Sequence, residues 1–325
     1  MAYYPNYRIS LYTTFVAMQR VWFRCQPAIS FVIRVTPRLM QLVVFRALAK
    51  LFRMESVTAT GNLGKIVGSP MDVGMFGEYL STGNFSPKTL NHMLEFFAQR
   101  ESTGTFIDVG GHIGLMSIPV ARSGAINCIV FEPEPLNHKF LLENISNAKL
   151  ENQVDVKNLA LFDKAGSLDF EVAEWHHGDH RIRNTEEVSD RSFDYAPFRE
   201  DTRPIVTVET QKLDDAVSLS TVSRPLVVKI DTQGSEAHVF SGGNKVLKAA
   251  DLLVTEFCPY MITRMGGDTE TVLTFLEQHF NKGFVSGKHN KNVPIEYVEI
   301  TEVTDYLRNF VRRANLDFVD IIVTK

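Results

Sequence analysis

The sequence has little cysteine. Its 325 residues contain three, Cys25, Cys128 and Cys258, which lie far apart and form no CxxC pair. An odd number of isolated thiols excludes a disulfide-stapled fold and argues against a zinc knuckle. Such thiols are typical of a reducing compartment, so we expect a cytoplasmic protein.

Acidic residues are missing from the first 54 positions. That stretch carries eight basic side chains: Arg8, Arg20, Arg24, Arg34, Arg38, Arg46, Lys50 and Arg53. The rest of the chain has 26 basic and 38 acidic residues, a net charge near -12. An acidic body of this kind excludes nucleic acid as the main partner, because phosphate backbones require a basic face.

Long apolar runs are also missing from this basic leader, which we place at residues 1–56. Its longest charge-free run, residues 9–19, is shorter than the roughly 18 to 20 residues that a membrane helix needs. In residues 38–54, polar and apolar positions divide between two sides of a helical wheel. Three interpretations stay open: an arm packed on the domain, a peripheral membrane contact through residues 1–54, or an organelle-targeting segment.

What is present is a globular α/β pattern without internal repeats. Residues 57–87 are rich in small polar residues and indicate short strands and turns. Hydrophobic periodicity then predicts strands at 105–109, 125–131, 154–159, 167–172, 206–211, 226–231, 252–257 and 318–324. It predicts helices at 90–97, 115–122, 135–149, 236–247 and 269–280. Strands alternating with helices at this spacing favour a parallel sheet covered on both faces.

The segment "FIDVGGHIG" places Gly110, Gly111 and Gly114 between a strand and a helix. Glycines there allow backbone N–H groups and the helix N-terminus to approach a ligand. Glu132 ends the next strand, 22 residues after Gly110, where a carboxylate can accept both ribose hydroxyls of an adenosine. These features alone allow a nicotinamide dinucleotide or S-adenosylmethionine (SAM).

Asp108, directly before the turn, distinguishes the two ligands. A carboxylate there would repel a pyrophosphate, whereas it suits the ammonium of a methionine group. We therefore favour SAM.

A further strand ends in "VVKIDTQGSE", which brings Lys229, Asp231 and Glu236 to the edge where ligands bind in open α/β sheets. A lysine inside an apolar run needs a partner, so we expect Lys229 to pair with a nearby carboxylate.

These stretches resemble the FkbM family of class I SAM-dependent methyltransferases. The matching segments lie between about residues 75 and 285: "FIDVGGHIGLMSI", "FEPEPLNHKFLLENI", "KNLALFDKAGSLDF", "TQKLDDA", "LVVKIDTQGSEAHVFSGG" and "LLVTEFCPY". The resemblance implies a Rossmann-like α/β fold with a seven-stranded, mostly parallel sheet, helices on both faces and, here, an N-terminal helical extension. It also implies SAM as cofactor and methyl transfer to a hydroxyl of a sugar, glycan or other small molecule.

The resemblance further implies roles by position. Asp108, Gly110, Gly111, His112 and Gly114 would form the methionine-binding turn, and Glu132 would bind the ribose. Asn158 and Asp163 would lie at the adenine end, and Asp231 beside the reacting methyl group. His112, Gln233 and Ser86 depart from the family pattern, which has Asn, Glu and an acid there. We divide the chain into the leader, a lead-in and cofactor lid at 57–100, and a methyltransferase domain at 101–325.

A polar insertion at 174–203 interrupts the alternation. Its segment "WHHGDHRIR" carries His176, His177, Asp179 and His180. Three interpretations of this segment stay open: a solvated loop, an acceptor-binding or general-base site through His180, and a metal site. Of these we favour the first two, and we predict no metal. The insertion also holds aromatic residues able to stack on an acceptor: Trp175, Phe193, Tyr195 and Phe198.

Two other functions stay open from the sequence. A nicotinamide-dependent oxidoreductase would use the same glycine turn, but no catalytic Tyr-Lys pair is found. Because Gln233 departs from the family pattern, a non-catalytic binding module on the same fold is the other alternative.

Overall fold

A computed structural model describes residues 49–174, 176–183, 203–287, 296–313 and 317–325. Most of the leader, Trp175 and the aromatic residues at 193, 195 and 198 lie outside these ranges. Within the described residues, no helix is long and apolar enough to cross a membrane.

The lead-in at residues 57–100 packs on the domain. It comprises the antiparallel hairpin β1 (Val57–Gly61) and β2 (Gly64–Gly68), then helices α1 (Met75–Thr82) and α2 (Pro87–Ala98). The sequence pattern predicts the short strands but misses α1, because glycines at both ends of this helix look like turn residues.

The first half of the main sheet follows as β3 (Thr103–Val109), α3 (Ser117–Arg122), β4 (Ala125–Phe131), α4 (Pro135–Ala148) and β5 (Val154–Lys157). β3, β4 and β5 are parallel neighbours. These five elements confirm the predicted ones to within a few residues.

A second, four-stranded sheet then interrupts the alternation. Its strands are β6 (Ala160–Leu161), β7 (Gly166–Glu171), β8 (Arg181–Ile182) and β9 (Ile205–Gln211), in the order β6-β9-β7-β8. A 3₁₀ turn at His177–Asp179 leads into β8. The beginning of the polar insertion is therefore built into this sheet.

The second half comprises α5 (Leu213–Ala216), β10 (Leu226–Ile230), α6 (Glu236–Gly242), α7 (Asn244–Ala249), β11 (Leu252–Phe257), α8 (Pro259–Arg264), α9 (Thr269–His279), β12 (Lys282–Ser286), β13 (Val298–Glu299), α10 (Ile300–Val311) and β14 (Val319–Thr324). The main sheet has the order β13-β12-β14-β11-β10-β3-β4-β5. β14 is antiparallel to both of its neighbours. The sheet thus has seven long strands and a two-residue eighth strand at one edge.

Both faces of this sheet are buried. Alternate residues of β3 and β10 enter opposite cores: Phe106 and Val227 face the side of the lead-in, whereas Ile107 and Val228 face the other side. Because both faces are covered, the central strands are apolar throughout, and polar side chains collect at the strand ends. The edge formed by the carboxyl ends of β3, β4 and β10 carries the site.

Candidate active site

The glycine turn after β3 lies against the end of β10. Gly110 has a φ of 85°, and a Cβ atom there would lie 2.0 Å from the backbone oxygen of Asp231. Only glycine permits this approach. His112 also has a positive φ, 52°, and its side chain lines the cleft above the turn.

Glu132, after β4, holds this turn in place. One carboxylate oxygen accepts the backbone N–H of His112 at 2.8 Å and the other accepts that of Glu134 at 2.9 Å. Burial raises the pKa of Glu132 to about 8, although both hydrogen bonds oppose the shift. Glu132 lines the cleft, as the sequence predicts for a ribose ligand.

Asp108 lies beneath the turn and is not one of the residues lining the cleft. It accepts a hydrogen bond from the Ser117 hydroxyl at 2.5 Å, and Lys229 Nζ is 3.9 Å from its other oxygen. Burial raises its pKa, against the opposing effects of Lys229 and Ser117. Its charge is thus close to the site, but its contacts are with the protein interior.

Asp231 follows β10 directly and lines the same cleft. Lys229 Nζ donates to one of its oxygens at 3.1 Å, which confirms the expected pairing of this lysine. Gln233 donates to the other oxygen at 2.9 Å. The carboxylate is therefore oriented by two side chains of its own strand end.

The two residues expected at the adenine end have different positions. Asn158 donates to the backbone oxygens of Glu132 and Pro133, at 2.9 and 3.0 Å, and so braces the cleft wall. Asp163 is not a lining residue, and it pairs with His238 at 2.8 Å. Between them the wall is apolar, formed by Leu159, Ala160 and Leu161, which the sequence interpretation missed.

Met75, His177 and Gly178 cover the cleft and form what we call its roof. Asp72 links the two parts of this roof, the lead-in and the insertion. This buried carboxylate accepts the N–H groups of Gly74, Met75 and Phe76 at the start of α1, and that of His177 at 3.3 Å. It also lies 3.5 Å from His112 Nε2. The sequence interpretation missed Asp72 because a carboxylate that caps a helix has no chemical motif of its own.

Two glycines allow the roof to close. A Cβ atom on Gly74 would lie 2.2 Å from the His176 ring, and one on Gly178 would lie 2.5 Å from the Met75 side chain. Met75, His177 and Gly178 all line the cleft. The lead-in and the insertion therefore meet over the cleft.

His180 lines the cleft in a defined protonation state. Its Nδ1 accepts the backbone N–H of Ala173 at 2.9 Å, so the proton of the neutral ring is on Nε2. Burial, with a smaller contribution from neighbouring His177, lowers its pKa to about 2. A neutral ring with this tautomer donates a hydrogen bond, so the geometry favours an acceptor-binding role for His180 over a general-base role.

A buried ion pair fixes the strand that follows His180. Arg181 and Glu171 are both fully buried and pair at 3.1 Å, and Arg203 pairs with Asp179 at 2.6 Å. These contacts hold the 3₁₀ turn and β8 against β7. Among the described residues, no group of three or more His, Cys, Asp or Glu side chains is arranged to hold a metal ion.

Several residues that line the cleft have buried polar atoms without a hydrogen-bond partner in the described part of the chain. His180 Nε2, Asn137 Oδ1 and Ser235 Oγ lack a hydrogen-bond partner within the described part of the chain, and all three residues line the cleft. Such atoms cost free energy unless they are paired. The cleft lies at the carboxyl ends of β3, β4 and β10, where ligands bind in open α/β sheets.

The sheet order and the position of this cleft define a Rossmann-like methyltransferase fold. The sequence profile of the methyltransferase FkbM domain matches residues 108–316, more than half of the chain. The protein therefore belongs to the FkbM family of methyltransferases, whose cofactor is SAM.

Solved structures with a similar fold share little sequence with this chain. A putative transferase from Pyrococcus horikoshii is 14% identical, with a TM-score of 0.36, over 83% of this chain and 71% of its own. Geranyl diphosphate methyltransferase in complex with SAM is 8% identical, with a TM-score of 0.40, over 74% and 85%. TYW2 from P. horikoshii in complex with MeSAdo is 14% identical, with a TM-score of 0.35, over 88% and 83%. A search of curated proteins gives no match. The family assignment rests on the profile match alone.

Proposed function

We propose that this methyltransferase transfers a methyl group from SAM to a hydroxyl group of a sugar or other small molecule. The observation that carries the proposal is the convergence of Glu132, Asp231 and unpartnered polar atoms on one cleft at the carboxyl ends of the strands. A cleft of this kind has contacts for both an adenosine and a polar acceptor.

The residues present fit the cofactor. Glu132 would accept the ribose hydroxyls, and Pro133, Leu159 and Ala160 would contact the adenine ring. Gly110, which lines the cleft, would allow the methionine group to approach the turn closely. When bound, SAM supplies a methyl carbon activated by positively charged sulfur.

The protein's own part in the reaction is alignment and proton transfer. The cleft would hold the acceptor oxygen in line with the methyl–sulfur bond of the bound cofactor, which would supply the methyl group and keep the electron pair of that bond on sulfur. The hydroxyl proton passes to Asp231, whose carboxylate lies in the cleft wall. His180 Nε2–H would donate to another acceptor oxygen, and Met75 and His177 would shield the reacting atoms from water.

Calorimetric titration with SAM and with NADH tests the cofactor assignment. We expect SAM to bind and NADH not to bind. Above about pH 8, where the Glu132 carboxyl group is ionised, Glu132→Ala should weaken SAM binding by roughly 2 to 4 kcal/mol, because hydrogen bonds to a charged acceptor are lost. This corresponds to an increase in Kd of about 30-fold to 900-fold.

Glu151→Ala is the matched control, since Glu151 is exposed and lies away from the cleft. Binding of NADH in place of SAM would contradict the proposal. Binding of neither ligand would leave a non-catalytic module as the better description.

A further inference from the structure

Gln233 adopts a backbone conformation that its residue type disfavours. Its φ is 55°, and the following Gly234 has a φ of 110°. The carboxylate of Glu236 holds this turn by accepting the N–H and hydroxyl groups of Thr232 and the N–H of Gly234. Strained conformations of this kind persist where the surrounding structure imposes them, and they cluster at functional sites.

The turn directs the Gln233 amide between two carboxyl groups. Its nitrogen donates to Asp231 Oδ1 at 2.9 Å and to Glu256 Oε2 at 3.1 Å. An amide nitrogen has two hydrogens, so both are used. Because Lys229 donates to the second oxygen of Asp231 at 3.1 Å, this carboxylate has a donor on each oxygen.

The charges around Asp231 are unbalanced. The titratable groups around Asp231 and its neighbour Glu256 come from β3 and the turn after it, β10, α6, β11 and β14: Asp108, His112, Lys229, Glu236 and Asp320. Lys229 is the one cation among them. Carboxyl groups this close cannot all be ionised around one ammonium, so some of them keep a proton.

The hydrogen bonds decide where the charge lies. Burial raises the pKa of Glu256 well above its usual value, and Asp231, Glu236 and Asp320 raise it further. For Asp231, burial opposes ionisation, but Lys229 and the Gln233 amide outweigh it and lower the pKa. The negative charge is thus on Asp231, the residue whose two oxygens both accept hydrogen bonds.

We propose that Gln233 is a positioning residue for methyl transfer: its amide keeps the Asp231 carboxylate ionised and oriented toward the cleft, and ties it to Glu256. The inference rests on the proposed function, in which Asp231 accepts the acceptor's proton. It assigns a role to Gln233, at the position that departs from the family pattern, and to Glu256. Neither residue was predicted as a site residue from the sequence.

The test is a titration of Asp231 in the ligand-free protein, followed by NMR of ¹³C-labelled aspartate carboxyl groups and assigned with Asp231→Asn. We expect Gln233→Leu and Gln233→Gly to raise the titration midpoint of Asp231 by about one pH unit, because a hydrogen bond to the charged form is lost. The glycine variant also relieves the positive φ, so a shift shared by both variants comes from the missing amide.

Two further variants separate the hydrogen bond from general charge. Gln233→Glu should raise the midpoint of Asp231 further, since it places a third carboxyl group directly between those of Asp231 and Glu256. The double variant Gln233→Glu with Glu256→Gln restores one amide and two carboxyl groups, and should return the midpoint toward the wild-type value. Gln278→Glu, the same change on the exposed side of α9, should leave it unchanged.

An unshifted Asp231 midpoint in both Gln233→Leu and Gln233→Gly would overturn the inference. Calorimetry of the wild type with SAM is measured alongside. If SAM fails to bind while the midpoints shift as expected, the proposed function fails but the link between Gln233 and Asp231 stands. If SAM binds and the midpoints do not shift, only the role of Gln233 is lost.

Discussion

Glu132 is a buried carboxyl group that holds the binding site together. Its burial in that site in turn changes its pKa. Its two oxygens hold the N–H groups of His112 and Glu134, and burial raises its pKa to about 8. The folded protein therefore binds the Glu132 proton more tightly than the unfolded chain does. The stability that this proton contributes is present at low pH and is lost as the pH rises.

We expect the free energy of unfolding of the ligand-free wild type, relative to that of Glu132→Gln, to fall between pH 4.5 and about pH 8. Urea unfolding at a series of pH values measures this difference. The exposed Glu151→Gln variant should run parallel to the wild type. A difference between wild type and Glu132→Gln that does not vary with pH would show that Glu132 titrates normally.

His180 should stay neutral throughout the physiological range. Because Ala173 N–H donates to Nδ1, and because burial lowers the pKa to about 2, we expect the Nε2-protonated tautomer from about pH 5 to pH 8. Histidine ¹⁵N spectra measure the tautomer directly, with His180→Asn for assignment. A resonance that titrates near pH 6.5 would contradict the donor role and revive the general-base role.

Helix α4 joins the lead-in to the glycine turn through Asn144. The fully buried side chain donates to the backbone oxygens of Val67 and Ile113, each at 2.9 Å, and accepts the N–H of Val67 at 2.6 Å. One amide therefore satisfies backbone groups of β2 and of the turn. The position of the hairpin depends on it.

We expect Asn144→Ala to lower the free energy of unfolding by about 3 kcal/mol or more, because several buried backbone groups lose their partner. Asn147→Ala, on the exposed side of the same helix, should cost less than about 0.5 kcal/mol. Urea unfolding compares the two. Equal effects would mean that the hairpin is held by apolar packing alone.

For the molecule as a whole, the described contacts of the cleft begin at Asp72, well after the basic leader. Leu51 and Phe52, at the end of the leader, are 74% and 69% exposed and lie between Lys50 and Arg53. Exposed apolar side chains flanked by basic ones suit the surface of an anionic membrane. We propose that the leader makes this contact.

Deletion of residues 1–54 should then abolish co-sedimentation with phosphatidylserine-containing vesicles while changing the Kd for SAM less than about threefold, which is under 1 kcal/mol. Vesicles of phosphatidylcholine alone are the control, since they lack the negative charge. Insoluble protein after the deletion would support the packed-arm interpretation. Failure of the full-length protein to bind vesicles would favour a targeting segment.

Local patterns predicted much of the fold. The strands β4 and β11 match their predicted ranges, because a run of β-branched and aromatic residues between turn signals favours a buried strand. β12, β13 and α10 were missed, and the helix predicted at 236–247 is two helices. It breaks at Gly243, where a Cβ atom would lie 2.8 Å from the Leu213 side chain. Such a break depends on a contact between distant parts of the chain, which periodicity does not contain.

The sequence by itself determined the alternation of strands and helices around the glycine turn, the acidic ends of three strands and the family. Each of these features depends on residues that are close together in the sequence. Only the tertiary structure decided that Asp108 faces the interior, that Asp72 joins the lead-in to the insertion, and that Gln233 stands between Asp231 and Glu256. The physical reason is that hydrogen-bond partners and burial are set by which segments meet in space, and such segments lie as much as 105 residues apart in the chain.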